Sequence, residues 1–376
     1  MVVCLLASGC GRIHRRSSAE YVYVVVQRAF LRDRVAVVAN RVADVANGER
    51  LQVLEHGRRF LRVKTPQGAV GWLEDHAVID QSEFDAFEAL GRQHAGQQPV
   101  ATAVLYNELY AHIAPGRKTQ RFYLFAANTK VAMLERASVP RQAAAGVLGL
   151  NPPAVKPRAA AHPRKGGKGD FEASFLPAVP MEDWWLVRDA SGRTGWMLAR
   201  DLAVDVPDDV AQYAEGQRMI GAYVLRTVED PESGKPNGQV PEYLTVLTPY
   251  KDGLPFDFDQ VRVFTWDGKR HRYGTAYRLR DIAGFFPVTV TTQGGALGAS
   301  QATPVFSIQV AAGNQATLDP QTGMPHAAAL ETWTYRLDGN LVHRVEPNGG
   351  RKTSTSGATP GQGAAAHRRR RRGRIR

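Results

Sequence analysis

Residues 184–197 read Trp184-Trp185-Leu186-Val187-Arg188-Asp189-Ala190-Ser191-Gly192-Arg193-Thr194-Gly195-Trp196-Met197. Residues 60–73 read Phe60-Leu61-Arg62-Val63-Lys64-Thr65-Pro66-Gln67-Gly68-Ala69-Val70-Gly71-Trp72-Leu73. The two stretches align without a gap, placing Val63 on Val187, Gly68 on Gly192, Gly71 on Gly195 and Trp72 on Trp196. Each reads as strand, tight turn, strand. Large apolar residues lead into the turn, glycine supplies positive φ within it, and a Gly-Trp pair opens the return strand. A chain of 376 residues has room for two or three domains, and a repeated hairpin predicts that two of them are copies.

The paired hairpins resemble the ending of bacterial Src-homology-3-like domains. In the first copy, Val45-Ala46-Asn47-Gly48-Glu49 and the following Leu51 to Glu55 resemble that family's Lys-Gly-Glu turn and strand. The resemblance implies two small β-barrels, at 21–80 and 96–206, and peptidoglycan or peptide ligands. In the second copy, residues 143–180 are rich in Ala, Pro, Gly and Lys and read as a disordered inserted loop.

Short helices follow each barrel, in linkers 81–95 and 207–218. The first, Ser82 to Leu90, is expected to be capped by Ser82, and the second starts at Pro207-Asp208-Asp209. From 219 to 346 candidate strands follow one another, with hairpin turns at Asp267-Gly268 and Asp338-Gly339-Asn340. The expected class is all-β: two barrels, short helices and a third, antiparallel β domain.

Cysteine occurs only at Cys4 and Cys10, which excludes a disulfide framework or thiolate metal site in the rest of the chain. The apolar start Val2 to Cys10 resembles the lipobox of bacterial lipoprotein signal peptides. Residues 1–20 are then signal and linker, with Cys10 the lipidated residue. By the same resemblance, Gly11 after Cys10 implies the periplasmic side of the outer membrane, reached through the lipid anchor. Ala7 stands where that family prefers Leu, and no basic residue precedes the apolar run.

Net charge is +12, but seven of the arginines fall between His367 and Arg376, within a low-complexity tail over 347–376. The basicity belongs to tail and loop rather than to a folded face, so nucleic acid is not the expected partner.

The candidate ligand-binding residues are the aromatics Tyr21, Tyr23, Trp72, Trp184, Trp185 and Trp196. Trp72 and Trp196, one step past a turn glycine, are expected to fill the barrels. Strand alternation sends one of Trp184 and Trp185 inward and leaves the other partly exposed. Asp257-Phe258-Asp259 reads as a polar turn before a strand.

No nucleophile elbow, zinc-protease helix or phosphate loop is present. The expectation is a binding or scaffold protein without a cofactor, not an enzyme. Two alternatives are an envelope enzyme with its site in 219–346 and a cytoplasmic nucleic-acid binder acting through the arginine tail.

Overall fold

The computed structural model describes residues 19–141, 171, 174–293 and 303–345. Cys10, most of the inserted loop and the arginine tail lie outside the described residues. The class is all-β, with several antiparallel sheets and short helices.

The first repeat contributes β1 (Tyr21–Val24), β2 (Arg28–Arg32), β3 (Arg41–Ala46), β4 (Arg50–His56), β5 (Phe60–Lys64), β6 (Val70–Glu74) and β7 (Val78–Asp80). They pair in the order β3-β2-β6-β5-β4-β1-β7. After helix α1 (Gln81–His94), the second repeat contributes β8 (Ala101–Leu105), β9 (Leu109–His112), β10 (Arg121–Phe125), β11 (Lys130–Pro140), β12 (Met181–Arg188), β13 (Thr194–Leu198) and β14 (Leu202–Val204). Their order is β10-β9-β13-β12-β11-β8-β14. Moving each strand of the first order seven places along the chain reproduces the second. Both ladders are open: among the described residues, the end strands of neither sheet pair with each other.

The repeated glycines have two separate duties. Gly68 and Gly192 sit in the turns at φ +92° and +89°, which side chains disfavour. Gly71 and Gly195 lie where a neighbouring strand crosses closely. A Cβ on Gly71 would stand 2.7 Å from Leu31 Cβ, and one on Gly195 2.6 Å from Ala111 Cβ. The turns are also closed alike. Thr65 Oγ1 accepts from Ala69 N–H at 3.2 Å, and Asp189 Oδ1 accepts from Arg193 N–H at 3.0 Å.

Helix α1 begins two residues earlier than expected. Its N-cap is Asp80, whose Oδ1 accepts from Glu83 N–H at 2.8 Å, while Glu83 Oε2 accepts from Asp80 N–H at 3.1 Å. Ser82 instead donates to the Asp80 carboxylate. This reciprocal box satisfies two N–H groups that the helix start leaves open. Phe84 stacks on Tyr23 at 3.8 Å, and Phe87 packs on Phe122 and Tyr123. The helix therefore lies between the repeats. Arg188 of β12 donates to the carbonyls of His94, Ala95 and Gln97 at its far end, where a cation meets both free carbonyls and the helix dipole. The second expected helix is shorter: α2 spans Asp208–Ala211 and tightens into a 3-10 turn over Gln212–Ala214.

The C-terminal region has two four-stranded sheets. One runs β15 (Gln217–Glu229), β16 (Gln239–Pro249), β17 (Gln260–Asp267), β18 (Arg272–Leu279). The other pairs β19 (Gly284–Gln293), β20 (Thr303–Ala311), β23 (Leu330–Asp338) and β24 (Leu341–Val345) in that order; β21 (Thr317–Leu318) and β22 (Pro325–His326) form a small hairpin between. Leu244, Val246 and Val263 from the first sheet share one apolar core with Phe306, Ile308 and Tyr335 from the second. Two sheets whose apolar faces meet give such a sandwich, and β16 and β17 are buried on their other face as well, where Tyr243, Phe264 and Trp266 form a second cluster.

Asp257 and Asp259 are not an exposed polar turn; Asp259 is buried and the Asp257 side chain is only 12% exposed. Asp257 is held by Arg136 on β11. Its Nε donates to Asp257 Oδ1 at 3.2 Å, and its Nη1 to Asp183 Oδ2 and Ser138 Oγ at 3.0 and 3.1 Å. Its Nη2 donates to the carbonyls of Leu254 and Phe256 at 2.8 and 2.7 Å. All five guanidinium N–H groups are thus used. Part of the expected disordered loop is also placed, since Phe171 and Phe175 pack on Phe256 at 5.7 and 5.3 Å.

Candidate functional site

A cleft of about 510 Å³ opens between the repeats, within the size range of ligand sites. The first repeat lends Val25, Val26, His76 and Val78; the second lends Tyr110, His112, Arg117, Thr119, Gln120, Arg121, Trp184 and Leu198. None of these described lining residues is acidic.

His112 ends β9, directly opposite Trp196 in the β13 register. Its Nδ1 lies 3.0 Å from Thr119 Oγ1. The threonine hydroxyl faces the carbonyls of Ala114 and Gly116 at 2.8 and 2.7 Å. With its proton turned to a carbonyl, that hydroxyl accepts from Nδ1–H, which leaves Nε2 as the acceptor of a neutral ring. Burial, and then the charge of Arg121, hold His112 below the ordinary histidine range. The imidazole meets the Trp184 indole edge-to-face at 5.1 Å. Trp184 Nε1 is a buried donor with no partner among the described residues. Such a group forfeits roughly 1–3 kcal/mol until an acceptor is supplied.

The two arginines differ. Arg117 makes a two-pronged pair with the buried carboxylate of Glu182, through Nε at 2.9 Å and Nη2 at 2.8 Å. Arg121 instead lies 4.6 Å over the Tyr110 ring. It brings positive charge to the cleft mouth without a carboxylate beside it on the lining. The arrangement offers one cation, one imidazole acceptor and apolar walls, which suits a peptide-like ligand carrying an acidic group.

Of the six aromatic candidates, only Trp184 lines this cleft. Trp184 and Trp185 are 1% and 2% exposed, so neither points to solvent. Strand β12 is covered on both faces: Trp185 joins the second-repeat core, and Trp184 joins a cluster with Trp196 against Leu90 of α1 and Met324. Tyr23 is core, with its hydroxyl donating to Gln81 at 3.0 Å. Trp196 is buried as expected, whereas Trp72 is only half-buried. Tyr21 is half-buried beneath the Arg50 guanidinium, 3.6 Å from its ring centre. Trp185 lines a second, largely apolar hollow of about 380 Å³ with Val100, Phe285 and Phe286. His112, Thr119 and Arg121 meet within the second repeat, where Arg121 stands opposite His112 across β9 and β10, and packing of the repeats adds His76; none carries a local mark in the sequence.

A carboxylate–histidine pair does occur in 219–346. Asp230 Oδ2 accepts from His271 Nδ1 at 2.8 Å and from Trp266 Nε1 at 2.7 Å. It ties the loop after β15 to the β17–β18 turn, and the indole engages the same oxygen that a catalytic dyad would use.

No family model matches the chain, and no curated protein matches it. Among solved structures it is similar to an NlpC/P60 family protein from Bacillus cereus, at 10% identity and TM-score 0.22, covering 69% of this chain and 99% of that one. It is also similar to NlpC2 and NlpC1 from Trichomonas vaginalis. Both are 9% identical, with TM-scores 0.15 and 0.16, covering 70% and 73% of this chain and 97% and 92% of theirs. Superpositions this loose carry no argument about fold or activity.

Proposed function

We propose that this chain is a non-catalytic, lipid-anchored envelope protein that binds an acidic peptide, such as a peptidoglycan stem peptide, in the cleft between its two Src-homology-3-like repeats. The observation that carries the reading is the cleft lining: Arg121 brings positive charge with no acidic residue among the described lining groups. A carboxylate would meet the guanidinium. Apolar walls from Val25, Val26 and Leu198 would cover the aliphatic part of such a ligand.

Titration calorimetry of purified stem peptides onto the full chain tests this. Binding is expected for the acidic peptide. Arg121→Gln should weaken it about tenfold, the loss of one charge-assisted contact, without lowering the unfolding midpoint. Equal affinity for the acidic peptide and its fully amidated form would reject the reading. The anchor is tested separately, by incorporation of a clickable fatty acid that disappears in Cys10→Ala.

A further inference from the structure

The loop between β2 and β3 presents an apolar tip to solvent. Residues 33–40 read Asp33-Arg34-Val35-Ala36-Val37-Val38-Ala39-Asn40. Val37 is 102% exposed and Val38 79%, values of an unfolded chain, while Val35, Val42 and Phe30 beside them are also exposed. Yet the loop base is locked. Asp33 N–H donates to Asn40 O at 3.1 Å; Asn40 N–H and Nδ2 donate to the two Asp33 carboxylate oxygens, each at 2.9 Å. The tip is therefore held out rather than left loose.

Basic groups surround it. The Arg32 and Arg41 guanidiniums lie 5.4 and 5.6 Å from the Phe30 ring centre, and Arg34 leads directly into the valines. Residues 28–41 hold four arginines and one carboxylate; Arg32, Arg34 and Arg41 are paired at the surface with Glu74, Asp33 and Asp44, exposed pairs that a phosphate can displace.

We propose that this loop inserts into the surface of an anionic lipid bilayer. The valines enter the boundary between headgroups and acyl chains, and the flanking arginines meet phosphates. Shape favours a bilayer over a protein partner: the tip is convex and made of short aliphatic side chains, so a protein would need a matching pocket and a bilayer needs none. The contact is distinct from any acyl chain on Cys10 and independent of the peptide cleft.

The test uses the full chain carrying Cys10→Ala, so that no acyl chain contributes, and vesicles of phosphatidylglycerol with phosphatidylcholine. Because the arginines of 368–376 also attract anionic vesicles, co-sedimentation is read at raised salt, where charge attraction fades. Val37→Asp with Val38→Asp is expected to lower the bound fraction roughly tenfold while leaving the unfolding midpoint unchanged. Val37→Trp should show a blue-shifted emission when vesicles are added. The proposal is overturned if the double variant sediments like its parent, or if the Trp emission stays in place. It is equally overturned if the parent does not bind vesicles.

Discussion

Arg136 and Asp257 meet at 3.2 Å across the boundary between the second repeat and the C-terminal sandwich, 121 positions apart in the chain. Asp183 completes the cluster from β12. Removing the arginine leaves Asp183 and Asp257 without their cation and the Leu254 and Phe256 carbonyls without its N–H groups, although Ser138 and Gly253 still donate to Asp183 and Phe286 to Asp257. Arg136→Met is expected to lower stability by about 3–5 kcal/mol in denaturant unfolding. Adding Asp183→Asn and Asp257→Asn to it should recover a large share, because the stranded charges are then gone.

Asp257 carries a pH signature. Burial pushes its carboxyl above the ordinary aspartate range, against the pull of Arg136 and of the Phe286 N–H. A raised folded pKa means that the group's contribution to stability is fully present below the unfolded value and is lost as pH rises through the folded one. Stability measured upward from about pH 4 should show this loss, and Asp257→Asn should flatten that limb.

His112 has the opposite sign. Its folded pKa is depressed, so its contribution is present above the unfolded value near 6.5 and is lost as pH falls through the folded one. An imidazole titration followed by NMR should have its midpoint below 6.5. His112→Gln should remove the matching slope from the stability profile.

The repeated glycines should rank by duty. Gly195→Ala forces a Cβ against Ala111 and is expected to cost about 1–3 kcal/mol as overpacking. Gly192→Ala meets nothing within 4 Å and is penalised through its φ alone, by about 1 kcal/mol. Thermal unfolding of the two variants, with Gly71→Ala and Gly68→Ala as the parallel pair, checks the order.

Asn47 should be intolerant of its nearest isostere. Its Nδ2 donates to Val25 O at 2.8 Å and, across to the second repeat, to Phe122 O at 2.9 Å; its Oδ1 accepts from Leu124 N–H at 3.0 Å. Asn47→Ala loses these bonds and is expected to cost about 1–3 kcal/mol. Asn47→Asp sets a carboxylate against the same carbonyls and should unfold at lower denaturant than the alanine variant.

The hairpins at 60–73 and 184–197 were legible because glycine marks their demands, whether local or not. A positive φ at Gly68 and the close crossing of β2 at Gly71 both favour glycine, and the pattern stands in both copies. The sandwich strands were legible as successive apolar runs broken by turns such as Asp267-Gly268, which needs no distant partner. Trp184 and Trp185 were misread because alternation presumes one wet face. Leu90, 94 positions before Trp184, and Met324, 140 after it, remove that face. Asp257 was misread for the same reason, since the Arg136 that neutralises it cannot be inferred from its neighbours. The cleft itself needs two repeats at a set angle, and only Trp184 carried a local mark.

Strands β11 and β12 leave one last consequence. They run as a paired ribbon to their very ends, where Pro140 stands opposite Met181 and Arg141 N–H donates to Pro180 O at 2.8 Å. The inserted stretch therefore departs and returns through one doorway already held shut by the ladder. Changing its length by a factor of two alters the closure term by only about 0.6 kcal/mol. This makes the position an exchangeable cassette slot, where sequence can be spliced in or trimmed out between 142 and 170 while the register on both sides stays as it is.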